Sequence, residues 1–94
     1  MVKIMSDYED VYIGGKPIPN YLSAGLWALG KDKPVRLLGR GSNIKTTVDV
    51  AEILKRQMID PVDTVTIDSE DFNERKVSTI TIILKGKRKE KNEE

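Results

Sequence analysis

Apolar and polar positions alternate, recur and break along this chain so as to mark strands, helices and turns in a definite order. Asp10-Val11-Tyr12-Ile13 reads as a short strand, ended by Gly14-Gly15. Lys16-Pro17-Ile18-Pro19 reads as a stiff extended loop, because each proline fixes φ and pushes its predecessor away from helix. Asn20 is then placed to cap a helix carrying Tyr21, Leu22, Ala24, Leu26, Trp27, Ala28 and Leu29, closed by Gly30. After the turn Lys31-Asp32-Lys33-Pro34, the run Val35-Arg36-Leu37-Leu38 is a second strand that breaks at Gly39-Arg40-Gly41. Ser42 or Asn43 is a natural N-cap for the longer helix that follows. Its apolar residues recur at Ile44, Val48, Ala51, Leu54 and Met58, with Lys45, Asp49, Glu52, Lys55 and Arg56 largely off that stripe. Asp60-Pro61 is expected to stop this helix.

The last third has a period of two. Val65 and Ile67 alternate with Thr64, Thr66 and Asp68, and Ile80, Ile82 and Leu84 alternate with Thr79, Thr81 and Ile83. The polar segment from Asp71 to Lys76 separates them, so the pair reads as a short hairpin. From Lys85 the alternation is lost. The order predicts an α+β domain, a βαβαββ two-layer sandwich with two helices on one face of a four-stranded sheet. Residues 1–9 read as a flexible N-terminal arm, 10–85 as the folded domain, and 86–94 as a charged, solvated tail.

Composition narrows the chemistry. The chain has 94 residues, 38% of them hydrophobic and 33% charged, which fits one small globular domain with a modest core. Cysteine and histidine are absent, which removes disulfides, thiol chemistry, imidazole catalysis and most zinc sites. No apolar run approaches the ~20 residues of a membrane span, and the first residues resemble no signal or transit peptide. A cytoplasmic location is expected.

A net charge of +1 conceals strong zoning. Lys16, Lys31, Lys33, Arg36, Arg40 and Lys45 face only Asp32 over the stretch from Gly14 to Lys45. Asp60, Asp63, Asp68, Glu70, Asp71 and Glu74 then follow without a base between them, and from Arg75 onward the chain is basic again. Such zoning gives one surface an attraction for anions without making the whole protein basic.

Gly25 to Asp32 matches the G-x4-G-K part of a P-loop, but it lacks the Ser/Thr that holds magnesium and lies inside an apolar helix. Gly39-Arg40-Gly41 does follow a strand and open a helix, although Ile44 stands where a dinucleotide fingerprint needs its third glycine. A tight turn explains the glycines alone. With Arg40 and Lys45 flanking it, the same turn also suits a phosphate. If the first two strands are parallel neighbours, Lys16 and Arg40 emerge at one edge of the sheet. The acidic residues 60–74 straddle a strand and contain no calcium-loop spacing, so they read as a solvated strand and turn, and no metal site is expected. Trp27 and Tyr21 read as core or edge packing. Phe72, near a polar hairpin tip, admits two readings: a wedge or stacking contact with nucleic acid, or packing within its own loop.

Three separated segments carry a resemblance. Val11-Tyr12-Ile13-Gly14-Gly15-Lys16-Pro17-Ile18-Pro19-Asn20-Tyr21 resembles the opening I-G-K-K-P-x-x-N-Y of the Alba family of archaeal nucleic-acid-binding proteins. Gly39-Arg40-Gly41, then Ile44, Lys45 and Val48 to Ile53, resemble its A-R-G-x-x-I-x-x-A-V-D-x-x-E-I, and Val77-Ser78-Thr79-Ile80 resembles its V-S-T-I strand. The resemblance implies a dimer, homomeric or with a paralogue, that coats double-stranded DNA, and in some members RNA, with little sequence preference. It would act in the cytoplasm on the chromosome, organising the nucleoid.

Carried over position by position, the resemblance points to Lys16, Arg40, Asn43 and Lys45, with Arg75 and Lys76 on the hairpin arm, and to Ile53 and Met58 at the dimer interface. It implies no cofactor and no enzymatic activity. Gly15 stands where the family has a second lysine, Met58 where it commonly has an aromatic, and the hairpin carries acids that repel phosphate. These departures imply weaker or more selective binding than in a typical member. An RNA-binding paralogue or ribonucleoprotein subunit is the alternative. A small nucleotide-using enzyme would need a convergent acid/base pair that the sequence lacks, and a pure protein-interaction module would use the acidic hairpin.

Overall fold

A computed structural model describes residues 8–89 of the chain. It contains β1 (Glu9–Tyr12), α1 (Ile18–Gly30), β2 (Val35–Arg40), a 3-10 turn over Gly41–Asn43, α2 (Ile44–Arg56), β3 (Met58–Phe72) and β4 (Arg75–Arg88). The strands form one mixed sheet in the order β1-β2-β4-β3. β1 and β2 are parallel, and β4 runs antiparallel to both β2 and β3. This is the expected α+β fold with the expected element order.

Strand alternation explains the two layers. Val11, Val35, Leu37, Ile80, Ile82 and Leu84 point to one face and are buried there with Tyr21, Ala28 and Leu29 of α1 and Val50, Ala51 and Leu54 of α2. The helices meet closely at Gly25, where an added Cβ would press on the Leu54 side chain. Among the described residues, the opposite face of the sheet carries no helix.

Several local expectations are corrected. α1 begins at Ile18 with Pro17 as its N-cap, so Ile18 and Pro19 belong to the helix, and Asn20 does not cap it. The first turn of a helix has no internal partner for its N–H groups, which makes proline compatible there. β2 continues through Gly39 and Arg40, and only Gly41 has the left-handed φ of +59°. Gly39 serves closeness instead: a Cβ there would run into the Thr47 side chain. Neither Ser42 nor Asn43 caps α2 through its side chain; Thr47 Oγ1 donates to the Asn43 carbonyl at 2.8 Å.

That hydrogen bond lets Thr47 be buried, and the inward face of α2 is Thr47, Val50, Ala51 and Leu54. Val48 lies outside it and is exposed. α2 ends at Arg56, before Asp60-Pro61, and Met58 is the first residue of β3, not part of the helical stripe. The β3–β4 register shifts between Ile59 and Val62, so Asp60 and Pro61 form a bulge. Proline, which cannot donate to a ladder, is at home there.

The hairpin is long. Its turn is only Asn73-Glu74, both left-handed at φ 51° and 63°, and β3 and β4 have 15 and 14 residues. Two left-handed residues match the twist of antiparallel strands. β4 also runs on past Lys85, with Lys87 opposite Ile59 and Arg88 opposite Met58. The expected tail therefore starts as strand, and its residues 90–94 lie outside the described ones, as do residues 1–7 of the expected arm. Glu9 already belongs to β1. Among the described residues no helix is long and apolar enough to cross a membrane.

Candidate functional site

Two βα loops set the site. Since β1 and β2 are adjacent and parallel, the loop with Lys16 and the end of β2 with Arg40 leave the sheet at the same edge. Tyr21, in the first turns of α1, is buried, and its hydroxyl accepts N–H bonds from Gly14 at 2.8 Å and Lys16 at 2.9 Å. The phenol thus holds the loop, and Lys16 itself is exposed. Among the described residues Lys16 has no carboxylate in ion-pair range.

Arg40 closes β2 and is exposed. Its Nη1 donates to Glu70 Oε1 at 3.0 Å, and its guanidinium carbon sits 5.7 Å from the Phe72 ring centroid. Phe72, the last residue of β3, is thus exposed beside a cation. Asn43 stands in the 3-10 turn, its carbonyl occupied by Thr47. Lys45, in the first turn of α2, extends into solvent and donates to Asp49 at 2.8 Å, which raises its pKa above the ordinary lysine value.

The hairpin projects from the same edge. Arg40 pairs with Thr79, and β4 continues four residues beyond that point to Arg75, roughly 13 Å of extended chain. Arg75 and Lys76 therefore lie at the tip of an arm that leaves the body beside Arg40. Lys76 donates to Asp71 at 2.9 Å, and Arg75 has no ion pair among the described residues.

All six cations and amides named from the sequence thus fall at one end of the molecule, and among the described residues three of them have a carboxylate already attached. Exposed pairs of this kind contribute only about 0–1 kcal/mol each, so an arriving phosphate can exchange with the carboxylate. Sequence reading missed Glu70 as a partner of Arg40, because pairs 30 residues apart leave no local signature. It also read Tyr21 as packing alone, when its hydroxyl is what orders the loop.

The two positions expected at a dimer interface differ in exposure. Met58 is 2% exposed and belongs to the core, so it has no surface left to offer. Ile53 is half-buried on the flank of α2 opposite Val48. The exposed apolar residues include Val48 on α2 and, on the helix-side face of edge strand β3, Val65 and Ile67, which are 54% and 75% exposed. Trp27 is not core either: it is 56% exposed, with Lys31 Nζ at 4.9 Å from its ring centroid. Gly25 and Gly30 of the P-loop look-alike both lie within α1, so the segment is helix and not a phosphate loop. Among the described residues, no three carboxylates come together in a way that would hold a metal ion.

A family model described as Alba matches residues 9–71. The DNA/RNA-binding protein Alba of Methanothrix thermoacetophila is 33% identical over 87 residues, covering 85% of this chain and 98% of that protein. The DNA/RNA-binding protein Alba 1 of Archaeoglobus fulgidus is 38% identical over 87 residues, with 84% and 97% covered. Among solved structures, Alba from Thermoplasma volcanium superposes with a TM-score of 0.67 at 26% identity, over 82% of this chain and 99% of that one. ALBA1 from Trypanosoma brucei, at 22% identity, shares the fold with a TM-score of 0.72 over 84% and 69%.

Proposed function

This chain belongs to the Alba family, and on that premise we propose that it is a dimeric, largely sequence-nonspecific binder of double-stranded DNA, and of RNA, that organises the chromosome. The observation that carries this reading is the convergence of Lys16, Arg40 and Lys45 at the edge from which the Arg75–Lys76 arm projects. Lysines and arginines there neutralise phosphates and release counterions, a term that is independent of sequence. Backbone contacts position a protein without reading bases, which suits coating. The role is binding, not catalysis, and the setting is the cytoplasmic nucleoid.

Exposed apolar surface supports the dimer. Val48, Val65 and Ile67 lie where α2 borders β3, and Lys55 ties the two elements together through Asp63 at 2.8 Å. A second copy laid against this border covers it. Ile67→Glu is expected to turn a dimer into a monomer in sedimentation equilibrium, with the fold intact by circular dichroism. A variant that stays dimeric would place the interface elsewhere.

The Glu70 carboxylate competes with phosphate for Arg40. Glu70→Gln is expected to tighten duplex binding by about two- to fivefold, the worth of one exposed pair. Weaker binding would mean that Glu70 supports the site. The competing reading, an RNA-binding paralogue or ribonucleoprotein subunit, draws on the carboxylates of the hairpin, which oppose entry into a duplex groove. Direct competition between duplex DNA and structured RNA, read by fluorescence anisotropy, separates them: duplex held against excess RNA supports the coating role, and duplex displaced supports the alternative.

A further inference from the structure

The helix-free face of the sheet holds a feature that phosphate contacts do not use. Tyr12 stands on it at 71% exposure, next in register to Leu38, which in turn pairs with Thr81, while Arg40 pairs with Thr79. These residues and Glu70 line an open cleft of about 350 Å³. That volume lies within the range of small-ligand sites, roughly 300–1,000 Å³. We propose that this cleft holds an unpaired base of single-stranded nucleic acid, stacked on Tyr12, with the adjoining phosphate on Arg40. The proposal rests on the nucleic-acid-binding reading and names a strand form that the same site would select.

The lining divides as a nucleotide does. Tyr12 and Leu38 offer an aromatic and an aliphatic surface to a base face. The Thr79 and Thr81 hydroxyls and the Glu70 carboxylate offer acceptors, and the hydroxyls donors, to a base edge. Arg40, at the rim, supplies the cation for the phosphate, with Lys16 on the same edge of the sheet. A base in a duplex is already stacked and paired, and it cannot present its face to Tyr12. An unpaired base can, so Tyr12 contributes to one strand form and not to the other. A neutral peptide segment would meet the same apolar wall but gains nothing specific from a guanidinium beside it. Charge complementarity therefore favours the nucleotide.

The test uses the full chain, a labelled short oligouridine, which is unpaired, and a labelled DNA duplex of mixed sequence. Tyr12→Ala is expected to weaken oligouridine binding about tenfold, the usual cost of removing one stacking ring, and to leave duplex affinity unchanged. Tyr12→Phe is expected to keep both affinities, since the ring remains. Equal oligouridine affinity in wild type and Tyr12→Ala overturns the proposal, as does an equal loss on both probes. Wild-type protein that binds the duplex but not oligouridine also overturns it and leaves the cleft to a peptide partner. If wild type binds neither probe, the nucleic-acid reading itself falls along with it.

Discussion

Leu37→Ala is expected to lower the free energy of unfolding by about 2–5 kcal/mol, measured by urea denaturation. Leu37 is at the centre of β2, fully buried, with Val11 of β1 and Ile82 of β4 beside it in register. It points to the helix-covered face, where Ala28, Leu29, Val50 and Leu54 complete the core. Truncation removes transfer energy and leaves a cavity that cannot readily close, because β2 is held by ladders on both sides. Small domains have only about 5–15 kcal/mol in total, so the loss is a large fraction. A change below about 1 kcal/mol would contradict the placement of the core between helices and sheet.

Lys16→Ala with Arg40→Ala is expected to weaken binding to every duplex by about tenfold or more at low salt, without changing any preference between sequences. Each phosphate that is no longer neutralised should also flatten the salt dependence by about 0.9 in slope, so the double variant should be shallower by about 1.8. The two substitutions should not be equal. Lys16 has no carboxylate partner among the described residues, so its removal subtracts one cation. Arg40 holds Glu70 at 3.0 Å, so its removal also leaves a bare carboxylate facing the phosphates. Arg40→Ala alone should therefore cost more than Lys16→Ala alone. Unchanged affinity in the double variant would remove the site.

The parts of this fold that were legible in the sequence are those with local causes. A short apolar run marked β2, alternation marked the core-facing half of β4, and glycines marked the ends of β1 and α1. Parallel pairing of the first two strands, an inference from βα order, is what brings Lys16 and Arg40 to one edge. Where two patterns coexist, the wrong one can be chosen. Ile44, Val48 and Met58 drew a stripe along α2, yet Thr47 is buried because its hydroxyl finds the Asn43 carbonyl, which rotates the inward face.

The hairpin was underestimated for a related reason. From Asp68 to Phe72 both faces of β3 meet solvent, so nothing demands an apolar period, and main-chain pairing alone extends the strand. The same holds at Lys87 and Arg88. In the site, the basic residues could be read one by one, but Glu70 on Arg40 and the cleft beneath Tyr12 could not. Both depend on strand order β1-β2-β4-β3, which brings residues distant in sequence onto one face of the sheet.

The most direct measurement is the affinity of the purified wild-type protein for several duplexes of unrelated sequence, each across a salt series. Phosphate neutralisation predicts one steep line of log affinity against log salt, shared by all the duplexes. A shallow line, or lines that separate by sequence, would contradict it.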